Sequence, residues 1–346
     1  MKIFKKYLTK SNIQDQSGKK KPTIYFHFGM AKAASSSIQF WLNNNREILV
    51  KNGVLYPDSF IVNDAHYAFS SLFNFGPREV KDKGSKLEEL SSLVNQYVDT
   101  GQYKAIVWSS EFFSGHRDIS ELKDFFSDFN CRIIIYLRRH DYWWQSKYAQ
   151  DLKFPSERSH PTGLKAYIDY QVQLDSQSLY ATSLDELARV FGRENLIVRP
   201  LEQEQMPKGL IVDFLNIIGV KTSGLDIGTT TINKKMSNQA NYILDHARIS
   251  GIARAEYGRL SNYLQKNDPF SDRSPLFSPE ERLSMLEHYQ RTQYDHIAKT
   301  YLGRADGTLF FSPLPQSTVP WQPPELPETE EIIRIIAASQ RGGYQN

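Results

Sequence analysis

Residues 27 to 37 read His-Phe-Gly-Met-Ala-Lys-Ala-Ala-Ser-Ser-Ser. Before them Ile24-Tyr25-Phe26-His27-Phe28 has the composition of a buried strand, and after them apolar residues at Ile38, Trp41, Leu42, Ile48 and Leu49 open a helical pattern. A chain that turns straight from a strand into a helix leaves backbone N–H groups unpaired at the positive end of the helix dipole, and that is an anion site. Lys32 at the apex adds a mobile point charge, Ser35, Ser36 and Ser37 add hydroxyl donors, and Ala33 and Ala34 complete a turn of small residues. The same residues would also suit a plain helix start with an exposed lysine and a serine cap. A Walker loop needs glycine before the lysine, where this chain has Ala31, so an ATPase loop is not supported.

A second stretch carries a similar chemistry. Arg132 to Leu137 is the most apolar strand pattern in the chain, Arg138 follows at its tip, and Ser146 comes eight residues later. A guanidinium at a strand end can take a phosphate bidentately while a nearby hydroxyl adds a donor. Surface arginines before an aromatic-rich helix are the plain alternative, with Tyr142, Trp143 and Trp144 as core or substrate-wall residues.

Together these two stretches resemble the sulfotransferases that use 3′-phosphoadenosine 5′-phosphosulfate, PAPS. The loop of that family runs Pro-Lys-Thr/Ser-Gly-Thr-Thr before a helix; here Lys32 matches the lysine, and Ala31, Ala33, Ala34, Ser35 and Ser36 stand at the other positions. The family also places an arginine at a strand end and a serine eight residues on, at the start of the next helix, where they hold the 3′-phosphate; Arg138 and Ser146 keep that spacing. Shorter pieces, Gly53 to Pro57, Ser109-Ser110-Glu111, Phe191 to Asn195 and Ser278 to Arg282, resemble bacterial members acting on carbohydrates or glycans, so the likeness runs from residue 23 to about 311.

The resemblance implies a sulfuryl transfer from PAPS to a hydroxyl or amine of a carbohydrate or glycan acceptor, with a P-loop-like sulfotransferase fold and no metal. Lys32 would neutralise charge on the bridging oxygen, and the loop residues 32 to 37 with Arg138 and Ser146 would bind the nucleotide. Such a reaction needs a base for the acceptor's proton. Glu111 is the first choice, because it follows the strand Lys104 to Trp108 and ligands gather at the carboxyl ends of parallel strands. His66 and His116 are second choices at the substrate side, and Lys234 and Lys235 could cover phosphates. Two rivals remain: a small-molecule kinase, which lacks its Walker glycine, and a non-catalytic relative binding a nucleotide or glycan, which Ala34 in place of glycine keeps open.

The elements that must position these groups can be read as well. Strands near 24–28, 104–108, 132–137 and 195–201 alternate with helices near 36–49, 85–99, 119–129 and 184–191 and with a loop and helix over 138–152, which predicts an α/β fold with a central, mostly parallel sheet flanked by helices and a helical C-terminal annex. Residues 1–22 read as a basic tail, 23–311 as the α/β domain, and 312–346 as a proline-rich tail with a short helix near 328–340. With 42 Lys and Arg against 39 Asp and Glu, the net charge of +3 gives no nucleic-acid patch. One cysteine, Cys131, rules out an internal disulfide framework, and no stretch has the length of apolar residues that spans a bilayer or leads secretion; a cytoplasmic protein is expected.

Overall fold

The computed structural model describes residues 21–76, 79–114, 119–154, 160–174, 178–225, 227, 235–316 and 320–341. It contains two compact units, Met1–Leu137 with Thr182–Thr230, and Arg138–Ala181 with Thr231–Asn346.

The first unit is organised by five strands, β1 (Thr23–Phe28), β2 (Val54–Leu55), β3 (Ala105–Ser110), β4 (Cys131–Leu137) and β5 (Leu196–Pro200). All pair in parallel, in the order β2-β3-β1-β4-β5. The continuous apolar runs explain this arrangement: Ile106, Val107 and Trp108 of β3 and Ile133 and Ile134 of β4 have no exposed surface, as strands covered on both faces require. Helix α1 (Ser35–Asn44) follows β1, and helices Lys83–Thr100, Ser120–Phe125 and Leu210–Ile217 belong to the same unit. A cluster of phenylalanines, with Phe26 against Phe69, Phe113 and Phe126 at 5.3 to 6.2 Å between ring centres, fills the core beneath β1. The expected α/β class with a parallel sheet is therefore what the chain forms.

Several boundaries depart from the sequence reading, two of them for a clear physical reason. β3 runs on through Ser109 and Ser110, because each hydroxyl finds a buried partner, His27 Nδ1 at 2.8 Å and Ser70 Oγ at 2.9 Å, so polarity does not end the strand. The helix expected over 119–129 covers only Ser120–Phe125. Phe126 is wholly buried and Phe129 N–H turns back to the Phe126 carbonyl at 3.0 Å, which bends the chain into β4.

The second unit is helical throughout its described regular elements, from His140–Asp151 and Leu164–Leu174 to Asn238–Ile249, Arg254–Asn267, Pro279–Tyr289, Asp295–Leu302 and Thr329–Arg341. Pro279 stands at a helix start where Ser278 and Glu281 cap each other reciprocally, at 2.9 and 3.2 Å. The described residues of the proline-rich segment form neither helix nor strand, yet they are tied down: Arg139 Nη1 donates to the carbonyls of Ser312 and Pro313 at 3.0 and 3.1 Å, and the Trp321 indole donates to the Pro275 carbonyl at 3.2 Å. Among the described residues no helix is long and apolar enough to cross a membrane.

Candidate functional site

The chain leaves β1 toward the β2 edge of the sheet and leaves β4 toward the β5 edge. Neighbouring parallel strands whose connections diverge open a crevice at their carboxyl ends, where open α/β sheets bind ligands. The turn after β1 begins at that crevice.

Within this turn Met30 and Ala33 are joined by Ala33 N–H to Met30 carbonyl at 3.1 Å, and Ser35 Oγ, buried at 2% exposure, donates back to the same carbonyl at 3.4 Å. Lys32 and Ala34 both adopt the left-handed conformation, with φ of 60° and 62°. Ala34 stands at the N-cap of α1, and no side chain caps that helix. The backbone N–H groups of its first turn are therefore left to backbone contacts, solvent or a ligand, with half-buried Ser36 and Ser37 beside them. An alanine in the left-handed region is strained by about 1–2 kcal/mol, and strain of this kind collects where the backbone must present itself to a ligand. Ala34→Gly is thus expected to raise stability by about 1 kcal/mol, less whatever freedom glycine adds to the unfolded chain. An increase in the urea midpoint at unchanged slope would show it; a decrease would mean that the turn is unstrained.

Glu111 lies beside this turn because of strand register. Phe28 pairs with Ser110, and Gly29 N–H extends the ladder to the Ser110 carbonyl at 3.0 Å, so the first residues beyond β1 and β3 are neighbours. A methyl group at Gly29 would come within 2.7 Å of Ser35 Oγ and 3.2 Å of Glu111 Cγ, which shows how closely the glutamate packs on the turn. Burial raises the Glu111 carboxyl above its ordinary range, and the nearby Lys32 charge opposes the rise. Tyr67 stands next to Glu111, its phenol pushed up to about 12 by burial and then by the glutamate's charge. Gly29→Ala is expected to cost about 1–3 kcal/mol through overpacking against Ser35 and Glu111. Thermal unfolding of the variant checks this, and an unchanged midpoint would refute the close packing.

A buried polar network supports the turn from below. Ser109 Oγ bonds His27 Nδ1 on β1 at 2.8 Å and accepts from Gln39 Nε2 on α1 at 3.1 Å, tying β1, β3 and α1 together. His66 belongs to this interior. It has no exposed surface, its Nδ1 accepts the Ser109 N–H at 3.1 Å, and its Nε2 therefore carries the proton toward the Pro57 carbonyl at 3.0 Å. Both nitrogens are occupied, and the ring packs edge-on against Tyr56 and Trp108. His116 and Lys234 lie outside the described residues.

In the second unit Arg138 is desolvated, which lowers its pKa, and the Asp141 carboxylate opposes the fall. The adjacent Arg139 is bound instead to Asp141, at 2.9 and 3.0 Å, and Asp141 is shared with Arg282. Lys235 is held low by desolvation and then by the Arg138 charge, so the two cations are near each other and form a positive patch within this unit. Ser146 is half-buried on the helix His140–Asp151. That helix begins six residues before Ser146, earlier than the resemblance implies, with Asp141 in its first turn and Arg139 at its N-cap.

No family model matches the sequence. A protein of Archaeoglobus fulgidus described as uncharacterized is 26% identical over 205 residues, which is 57% of this chain and 54% of that protein. The chain thus spans about half the length of the curated relative it matches. Among solved structures, a sulfotransferase from Alicyclobacillus acidocaldarius is similar, at 20% identity and a TM-score of 0.39, over 66% of this chain and 94% of its own.

The structure brings Lys32, Ala33, Ala34, Ser35, Ser36, Ser37 and Glu111 to the carboxyl end of the first unit's sheet, beyond β1 and β3, and it places Arg138, Ser146 and Lys235 in the second unit. Residues that the sequence reading did not single out are Gly29, whose lack of a side chain admits Glu111, and Tyr67, which flanks it. The signal for Gly29 was its place between an apolar strand and a lysine turn. Tyr67 carried no signal beyond a neighbouring histidine. Among the described residues no group of three His, Cys, Asp or Glu side chains could hold a metal ion.

Proposed function

We propose that the protein transfers a sulfuryl group from PAPS to a hydroxyl of a carbohydrate or glycan. One observation carries the reading: an uncapped helix N-terminus with Lys32 at its entrance stands beside a glutamate whose proton affinity is raised by burial. An anion holder next to a proton acceptor is what an in-line transfer to a hydroxyl requires, since positioning and charge stabilisation supply most of such catalysis.

The donor set fits a phosphorylated nucleotide: backbone N–H groups of a ten-residue helix, a lysine and two half-buried serine hydroxyls. PAPS, when bound, would supply the SO3 group on a phosphate oxygen. Lys32 would neutralise charge at that end, with residues 33–37 as the remaining loop contacts. Arg138 and Ser146 are assigned to the 3′-phosphate on their spacing, and the Lys235 charge near Arg138 supports an anion there. Glu111 would accept the proton of the acceptor hydroxyl. The lone Cys131 is a buried free thiol, pushed up to about 11 by desolvation, which suits a reducing compartment; the cytoplasm is the location proposed.

Calorimetric titration with adenosine 3′,5′-bisphosphate and with ATP and magnesium, alongside transfer of labelled sulfate from PAPS to a panel of oligosaccharides, tests the reading. The bisphosphate should bind more tightly than the ATP complex, and transfer should disappear in Lys32→Ala. Equal or tighter ATP binding would favour a kinase, and bisphosphate binding without any transfer would favour a non-catalytic relative.

A further inference from the structure

A cavity of about 620 Å3 opens in the first unit next to the residues that flank Glu111. Tyr67 and Phe112 both line it. Phe112 follows Glu111 in the single helical turn Glu111–Ser114, and the Tyr67 phenol feels the Glu111 charge. Both rings are fixed in place. A methyl group at Gly76 would fall 2.5 Å from the Phe112 ring, so that ring lies directly on the glycine backbone, and Tyr67 packs against it at 4.5 Å between ring centres. Ser110 ties the two segments together, since its Oγ accepts the Phe112 N–H at 3.2 Å and bonds Ser70 Oγ, on the Tyr67–Leu72 helix, at 2.9 Å.

The surface this cavity offers a ligand is aromatic and aliphatic. Leu72 is buried against it, and Phe60, Ala68 and Val80 are half-buried around it. Val62 keeps a large apolar side chain 48% exposed at the opening. The polar groups of the lining are engaged or face solvent. Ser71 donates its hydroxyl to the Tyr67 carbonyl at 2.9 Å, and the exposed Lys86 and Glu89 pair with each other at 2.7 Å. Asn63 and Glu79 are exposed. The loop that carries Phe60 and Val62 is held in shape by mutual backbone bonds between Val62 and Ala65, at 2.8 and 3.2 Å, and by the Tyr56 hydroxyl on the Asp64 carbonyl at 2.7 Å. Phe60 itself is left-handed, with φ of 61°, a conformation that a bulky residue keeps only where its surroundings over-determine it.

We infer that this cavity receives an apolar group carried next to the acceptor's reacting hydroxyl, so that a glycoside with an aromatic or aliphatic aglycone is a better acceptor than the bare sugar. The inference rests on Glu111 being the base of the proposed transfer. An aglycone packed on Tyr67 and Phe112 leaves water, and its burial holds the attached sugar beside the glutamate.

Transfer of labelled sulfate from PAPS to the phenyl and methyl glycosides of glucose, galactose and N-acetylglucosamine measures the preference. For at least one sugar the phenyl glycoside should have a kcat/KM about tenfold or more above its methyl counterpart, mainly through a lower KM. Ala68→Phe, which fills the cavity, and Tyr67→Ala, which removes a wall, should each bring the two substrates to within about threefold of each other. Thermal midpoints confirm that the variants remain folded, and Val62→Glu, at the exposed opening, replaces either one that does not. Saturation-transfer NMR of the phenyl glycosides with the nucleotide-free full chain needs no turnover: the phenyl protons should receive saturation from the wild type and not from Ala68→Phe. Equal transfer to phenyl and methyl glycosides, or a preference that the cavity variants keep, would overturn the inference and leave the transfer standing. Phenyl glycoside binding that the variants abolish, without any transfer, would support the cavity and overturn the transfer. Neither binding nor transfer would overturn both.

Discussion

Replacing Glu111 with glutamine is expected to lower kcat by about two to four orders of magnitude, the usual contribution of a positioned general base. Affinity for adenosine 3′,5′-bisphosphate should be unaltered, because the glutamate is assigned to the acceptor and not to the nucleotide. Glutamine keeps the shape against Gly29, so the packing that holds Ser35 and the turn survives. The pH profile separates a base from a merely structural residue. In the wild type, activity should fall on the acid side as Glu111 takes up a proton, at a pH above the ordinary carboxylate range because burial outweighs the Lys32 charge. The variant should lose that limb. Lys32→Ala should move the limb to still higher pH in whatever activity remains, since it removes the charge that holds the carboxyl down. A Glu111→Gln enzyme with wild-type kcat would transfer the role of base elsewhere.

The Lys32 turn was legible because its parts are consecutive: an apolar strand, small residues, one lysine and a helix pattern lie within about twenty residues, and the chemistry follows from local backbone geometry. Glu111 was half legible. Its place after a strand could be read, but its contact with Gly29 depends on the pairing of Phe28 with Ser110, two residues 82 apart in the chain, and register of that kind leaves no local mark. The left-handed Ala34 was hidden for a different reason, since an alanine announces no special backbone and only the tertiary structure imposes one. Ser109 and Ser110 read as a strand end because hydroxyls suggest a loop, whereas His27, Gln39 and Ser70 supply their partners from remote elements. His66 looked like a chemical group and proves to be an interior one, because a lone histidine does not show in sequence whether its nitrogens are already engaged.

Acidification should destabilise both units well before ordinary carboxylates titrate. His27 and His66 in the first unit and His140 in the second have no exposed surface, and desolvation lowers each to about 3 from the usual 6.5. The unfolded chain therefore binds more protons than the folded one between those values, so stability is full above about pH 6.5 and declines as the pH falls toward 3. By pH 5 each histidine contributes a loss of about 2 kcal/mol, a large part of an ordinary domain's total of about 5–15 kcal/mol. Buried surroundings receive each ring, and among the described residues His27 Nε2 has no hydrogen-bond partner to share a proton with. His66 accepts from a backbone N–H, while His140 lies 2.7 Å from the Tyr294 hydroxyl and 2.9 Å from the Ser178 carbonyl, stacked on Tyr289 at 3.5 Å. Urea unfolding between pH 8 and pH 5 measures the effect, with a loss of about 4 kcal/mol expected for a transition of the first unit alone. His66→Gln tests the assignment: glutamine can still offer a donor and an acceptor, and the variant should be less stable at pH 8 but should lose about 2 kcal/mol less on acidification. A wild type as stable at pH 5 as at pH 8 would mean that these rings carry protons in the folded state, and the network under the Lys32 turn would then need a different set of donors.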